Sequence, residues 1–269
     1  MQIVADNIQI TNKKIEKALN DMDALPIQEL ASQCKNAGAD AIDLNSGPLL
    51  KQAEKKMTFL VNVVQEIVDM PLLLDTSNPS AIHAGLKACK ENAVINGFSL
   101  EPAKLNNILP LAREFNCKII GYLLDKKGMV PPNADERMRV AIQLYEEFSK
   151  LGLKTNQLVI DPVVVPIMWQ DGPYQAMEVL DVIKTLPDLL GFPVQTIIGL
   201  SNLTTTNGPK TKKLIVEEAF LSMLAVAGLS MVLMNINHQR TISMAKTCNT
   251  LIKGRIFSWE EILQGTVPQ

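Results

Sequence analysis

Eight times along this chain a short run of β-branched or leucine-rich residues gives way to a longer stretch whose apolar residues recur at helical spacing. The short runs are residues 2–5 (QIVA), 41–44 (AIDL), 71–75 (PLLLD), 93–96 (AVIN), 118–124 (KIIGYLL), 157–161 (QLVID), 194–199 (VQTIIG) and 230–235 (SMVLMN). Near-continuous apolar runs of this length suit parallel strands covered on both faces. The helical stretches span 27–37, 53–68, 80–90, 104–115, 135–151, 174–190, 210–227 and 239–253. Gly38, Gly152, Gly191 and Gly228 stand where helices should stop, and Asn78-Pro79-Ser80 where one should begin. Eight such units in about 250 residues predict a (β/α)8 TIM barrel. With no proline-rich linker or charge block, residues 1–269 read as one domain. A doubly wound open sheet is the alternative, but no Gly-x-Gly dinucleotide fingerprint and no Walker A loop occurs.

Composition narrows the function. A net charge of -2 and 4% aromatic residues give neither the field nor the stacking platforms that nucleic acid needs. The longest apolar run, residues 219–234, is broken by Ser222, Gly228 and Ser230 and falls short of the ~20 residues of a membrane span. The start carries Asp6 early and has no basic segment ahead of an apolar core, so a cytoplasmic location is expected. Cys34, Cys89, Cys117 and Cys248 form no CxxC pair and read as small buried hydrophobes in a reducing compartment. Neither His83 nor His238 makes a zinc spacing with them, and no metal is expected on this chain.

Barrel chemistry is built at the C-terminal ends of the strands. Here those ends read Asp43-Leu44-Asn45, Asp75, Asn96, Asp125 and Asp161, with Asn202 after the seventh strand and Asn235 after the eighth. Asp and Asn are ordinary turn residues and helix caps. Yet Asp161 precedes Pro162, and Asp75 stands well ahead of the helix start at Pro79, so neither is well placed as a cap. The ring lacks an Arg/Lys cluster for polyphosphate and a Ser–His or Cys–His pair for nucleophilic catalysis. Acids could hold Mg²⁺, but amides alternate with them. Acceptors mixed with groups that both donate and accept suit a flat heterocycle with alternating polar atoms, such as a pterin.

DLNSGP (residues 43–48), LLLDTSNP (72–79), VINGFSLEP (94–102), LVIDPVVVP (158–166) and IIGLSNLT (197–204) stand in the order and spacing of the pterin-binding methyltransferase barrels. The chain resembles methyltetrahydrofolate:corrinoid protein methyltransferases, which are similar to the folate module of cobalamin-dependent methionine synthase. That resemblance implies a homodimeric barrel moving a methyl group between N5 of tetrahydrofolate (5-methyltetrahydrofolate when loaded) and the cobalt of a corrinoid on a partner protein. It implies pterin contacts from Asp75, Asn96 and Asp161, an amide near N5 from Asn202, and Asn45 and Gly47 at the second strand. Asp43, Ser201 and Asn235, at the ends of the second, seventh and eighth strands, are counted as candidate pterin contacts with them. Departures occur at Ala5-Asp6-Asn7-Ile8-Gln9, at Leu203-Thr204-Thr205-Thr206 and at Asn235-Ile236-Asn237-His238.

The expected reaction is an SN2 transfer in which the departing nitrogen needs a proton or a strong hydrogen bond; Asn202 and Asp161 are the catalytic candidates, Asn202 carrying the proton through a water network and Asp161, with Asp75, holding the ring in position. In the loop after the sixth strand, Met168-Trp169 has two readings: an exposed contact for the corrinoid protein, or a Trp that covers the barrel rim. Dihydropteroate synthase is the rival enzyme, though its Ser-Arg-Lys-type loop is missing from SNLTTTNGPKTKK. A non-catalytic folate-binding protein is the rival of another kind. A corrinoid carrier would need an Asp-x-His-x-x-Gly loop, which neither histidine occupies.

Overall fold

Residues 1–49, 51–91 and 93–252 are described by a computed structural model. Eight parallel strands close into a barrel, β1 pairing with both β2 and β8. They are β1 Gln2–Gln9, β2 Ala41–Asn45, β3 Leu72–Asp75, β4 Val94–Phe98, β5 Lys118–Tyr122, β6 Leu158–Asp161, β7 Gln195–Gly199 and β8 Met231–Met234. The helices are α1 Lys13–Asp21, α2 Ala24–Ala37, α3 Ala53–Gln65, α4 Pro79–Ala88, α5 Pro102–Asn107, α6 Leu109–Glu114, α7 Ala134–Lys150, α8 Gly172–Leu190, α9 Lys210–Ala227 and α10 Gln239–Ile252. The expected (β/α)8 TIM barrel is the observed fold.

Each strand sends alternate side chains in and out. Outward-facing Ile42, Leu44, Ile119, Ile160 and Ile198 join one large core with the helices. Inward-facing Val4, Ala41, Leu73, Ile120, Val159, Ile197 and Met231 form a separate cluster that fills the barrel. The period of two has a direct consequence at the next inward position. Asp43 follows Ala41, Asp75 follows Leu73, Tyr122 follows Ile120 and Asp161 follows Val159, all on the inner face toward the C-terminal mouth.

Three local features differ from expectation. β1 runs on to Gln9, and its register with β2 shifts between Ala5 and Ile8, a bulge around Asp6 and Asn7. The short helix α1 was not expected; it buries Ile15, Ala18 and Leu19 on one face amid Lys, Glu and Asn. The expected single helix over 104–115 is two, because Pro110 has no N–H to donate one turn back and the chain breaks at Ile108. The end of the expected last helix, Lys253, lies outside the described residues.

Candidate functional site

The polar residues at the strand ends meet across strand pairs. Asn45 sits opposite Asp75, and Asp75 opposite Asn96, in the parallel registers of β2, β3 and β4. Tyr122 sits opposite Asp161 across β5 and β6. Side-chain bonds link all of these but Asp161 into two chains. The Asn45 amide donates to Asp75 Oδ2 at 2.6 Å and its own carbonyl accepts the Gly47 N–H at 3.2 Å. The Tyr122 hydroxyl donates to Asn96 Oδ1, and the Asn96 amide donates to Asp43 Oδ1 at 2.9 Å. Those two bonds fix which way the Asn96 amide points.

Burial sets the charge states. Asp43 is 2% exposed, and its carboxyl is held well above the usual range, first by burial and then by the neighbouring Asp75. Asp75 is pushed up to about 6 by burial, against the pull of Lys104 and the Asn45 amide. Asp161 is pushed up to about 7 by burial, against the Val163 N–H and Arg137. Tyr122, walled in among Asp75, Asp161 and Asp43, is raised as well, chiefly by burial. The cup therefore holds acids poised near neutrality, a pattern common at functional sites.

Asp161 also holds a strained loop. Its Oδ1 accepts the Val163 N–H at 2.7 Å, and Val163 has φ +62°, the left-handed region a β-branched residue rarely enters. Such a conformation costs on the order of 1–3 kcal/mol and persists only where its surroundings dictate it.

The remaining expected residues take different places. Gly47, at φ +62°, turns the chain after β2 and receives the Thr76 hydroxyl on its carbonyl at 2.5 Å. Ser201 and Asn202 are exposed on a 3₁₀ turn, residues Leu200–Thr204, that follows β7. A Cβ on Gly199 would lie 3.0 Å from the Asn202 amide nitrogen, so that amide folds back over the glycine. Asn235 accepts both the Asn7 amide and the Asn237 N–H at 2.9 Å, tying β1 to the end of β8, and among the described residues no bond joins it to the acids. Asp125 is not in the ring. β5 ends at Tyr122, and Asp125 caps an exposed turn through the amides of Met129 and Lys127, which hold its carboxyl below the usual range.

Sequence reasoning missed three neighbours of the cup. Tyr122 was legible from the period of two, but the apolar run continues to Leu124 and hides where the strand stops. Lys104 stands with its ammonium 5.5 Å from the centre of the Tyr122 ring and 3.0 Å from Glu101. Arg137 on α7 is fully buried, donating to the Pro131 carbonyl and to Gln175, and is lowered to about 10 by burial against Glu178 and Asp161. Its position was legible, since Arg137 stands one turn ahead of Val140 and Ala141 and in line with Leu144 and Phe148 on the apolar face of α7; its partners were not. A cavity of about 360 Å³ opens at the opposite, N-terminal end of the barrel, among Leu73, Val94, Lys118 and Met231. It contains none of the converging acids, and the chemistry is placed at the other mouth on that ground.

A (β/α)8 barrel with this cup matches a known class: residues 10–235 fit the family profile described as pterin binding enzyme, and the chain belongs to that family. Within it, the chain is similar to the methylcorrinoid:tetrahydrofolate methyltransferase of Eubacterium limosum, 23% identical over 239 residues that cover 87% of this chain and 85% of that protein. It also matches methionine synthase of Mycobacterium leprae (strain TN), 22% identical over 226 residues, 81% of this chain but 18% of that larger protein. Among solved structures, the Yersinia pestis dihydropteroate synthase bound to a pterine-sulfa conjugate has a TM-score of 0.67 over 94% of each chain, at 16% identity. That likeness is one of fold.

Proposed function

We propose that this enzyme moves a methyl group between N5 of tetrahydrofolate and the cobalt of a corrinoid carried by a separate protein. The observation that carries the reading is the convergence of Asp75, Asn96 and Asp161 on the inner face at the C-terminal mouth, with Asn202 on the turn after β7. The similarity to the Eubacterium limosum methyltransferase over nearly the full length of both chains supports it.

In this reading the ring N–H and amino groups of the pterin donate to Asp75 and Asp161. Asn96 meets the ring through the lone pair and N–H that Tyr122 and Asp43 leave free. Asp43 itself lies behind Asn96 and supports it. Holding the ring fixed supplies the proximity term. Transfer to Co(I) is an in-line displacement in which N5 departs, and a nitrogen leaving without a proton would be a poor leaving group. The Asn202 amide can accept from the protonated nitrogen or donate to the free one, so it serves both directions through an ordered water. General-acid assistance of this kind is worth roughly 10²–10⁴-fold.

The corrinoid is too large to enter the cup, so its carrier protein docks over the mouth. Met168 and Trp169 are 73% and 55% exposed in the loop after β6, and that loop is tied to the Asn202 turn by the Ile167 N–H on the Leu203 carbonyl at 2.8 Å. Buried aromatic and methionine anchors typify such contacts. A homodimer belongs to the same reading. The solvent face of α9 carries Ile215, Ala219, Met223 and Val226 with no charge among them. α7 and α8 display Arg139, Glu146, Asp181 and Lys184 on theirs.

The direct test mixes the protein with 5-methyltetrahydrofolate and Co(I) cobalamin and follows the corrinoid spectrum. Methyl-cobalt formation is expected. Tight folate binding without any spectral change would leave a binding protein. Condensation of a pterin pyrophosphate with an aryl amine would favour the synthase instead.

A further inference from the structure

We propose that Glu217 is a positioning residue for methyl transfer, holding the 3₁₀ turn that presents Asn202 through its bond to Thr204. The inference rests on the role given to Asn202 above.

Asn202 is exposed and no hydrogen bond from its side chain to another described residue fixes it. Its place therefore depends on the turn beneath it. A 3₁₀ turn has poorer hydrogen-bond geometry than an α-helix and holds its shape by outside contacts. Leu200 and Leu203 are both 1% exposed and plug the turn into the core. The Thr205 hydroxyl donates to the Ser201 carbonyl at 2.8 Å. The Thr204 hydroxyl donates to a carboxylate oxygen of Glu217, two turns into α9. That last bond is the side-chain tie between the turn and the helix behind it.

Glu217 is an unusual choice for a merely structural place. It is 6% exposed, and no Lys, Arg or His lies within ion-pair distance of it among the described residues. Its neighbour Glu218 does have such a partner, Arg240 at 2.9 Å. Burying a carboxylate against one neutral hydroxyl is costly. What it provides is an acceptor roughly twice as strong as a neutral one. Asp6 and His238 lie in its electrostatic neighbourhood from β1 and from the segment after β8. Glu217 thus stands behind the turn, near charged groups from β1 and from the segment after β8.

The test uses Thr204→Val, Thr204→Ser and Glu217→Leu in the full chain, with 5-methyltetrahydrofolate and Co(I) cobalamin. Thr204→Val conserves volume and removes only the hydroxyl, so it covers the case in which Glu217→Leu fails to fold. Expected is a kcat lower by roughly 10- to 100-fold, the range for displacing a positioned group by about an ångström. KM for the folate should stay within about twofold, and Thr204→Ser should recover most of the rate. In an Asn202→Ala background the same substitutions should change kcat by less than about twofold, because their route runs through the missing amide. Unchanged kcat in Thr204→Val, or an equal loss with and without Asn202, overturns the proposal. A second readout is independent of turnover: in ¹⁵N-labelled protein the Asn202 side-chain amide pair should shift or broaden in Thr204→Val. An unmoved pair refutes the positioning role. A moved pair with normal kcat in Asn202→Ala shows that Glu217 holds the turn but refutes the role of Asn202 and, with it, Glu217's part in methyl transfer.

Discussion

Replacing Asp161 by asparagine should weaken folate binding and at the same time stabilise the folded protein. The substitution keeps the shape of the side chain, and the amide oxygen can still accept the Val163 N–H that the carboxylate takes at 2.7 Å. What changes is the other oxygen, which becomes a donor facing a pterin donor. A hydrogen bond to a charged group contributes about 1.5–3 kcal/mol, so the dissociation constant should rise roughly 10- to 150-fold. Stability should move the other way. The folded carboxyl is raised from 3.8 to about 7, so the folded chain binds this proton more tightly than the unfolded chain. The stability it contributes is full at low pH and is lost as pH rises through about 7. At pH 8 the ionised, buried group therefore costs on the order of a few kcal/mol, and the asparagine does not. Arg137 offsets part of this, but Glu178 stands ahead of Asp161 among the charges acting on it. Isothermal titration with 5-methyltetrahydrofolate at pH 8 gives the first quantity, and urea unfolding at pH 5 and pH 8 the second. An affinity within threefold of the parent would remove Asp161 from the ligand's contacts. A variant less stable at pH 8 would show that the Arg137 interaction outweighs burial, and the reasoning from desolvation would fail.

Other outcomes are expected. Asn202→Ala should cut kcat by roughly 10²-fold or more while changing folate affinity little, and near-normal turnover in steady-state kinetics would take it out of the mechanism. Folate affinity should fall as pH drops through about 7 and then about 6, where Asp161 and Asp75 gain protons and lose acceptor capacity. A flat profile by fluorescence titration would contradict carboxylate recognition. Met168→Ala with Trp169→Ala should raise KM for a corrinoid protein and leave the rate with free cobalamin unchanged, while equal effects on both would argue against a docking role. Val226→Glu, placed at a side chain 79% exposed, should shift sedimentation toward the monomer if the α9 face pairs, and an unchanged profile would place the interface elsewhere.

Much of this protein could be read from its sequence because the relevant signals are local. Apolar runs of strand length alternating with helical spacing dictate eight units, and eight units of this length close most readily as a barrel. The polar residues at or near the ends of the strands are likewise local, which is why Asp43, Asn45, Asp75, Asn96 and Asp161 stand out in the sequence. The tertiary structure decided which of them converge at the mouth of the barrel and how deeply each is buried. Closure turns a list of strand ends into a ring, sets Asp43 behind Asn96, brings Tyr122 between Asn96 and Asp161, and sends Asp125 out to a solvent turn. Burial then lifts Asp75 and Asp161 toward neutrality, which no isolated carboxylate would show. The buried places of Arg137 and Glu217 follow the apolar spacing of their helices. Their partners, Pro131 and Gln175 for one and Thr204 for the other, come from segments distant in sequence or across a turn, and only the packed fold brings them together.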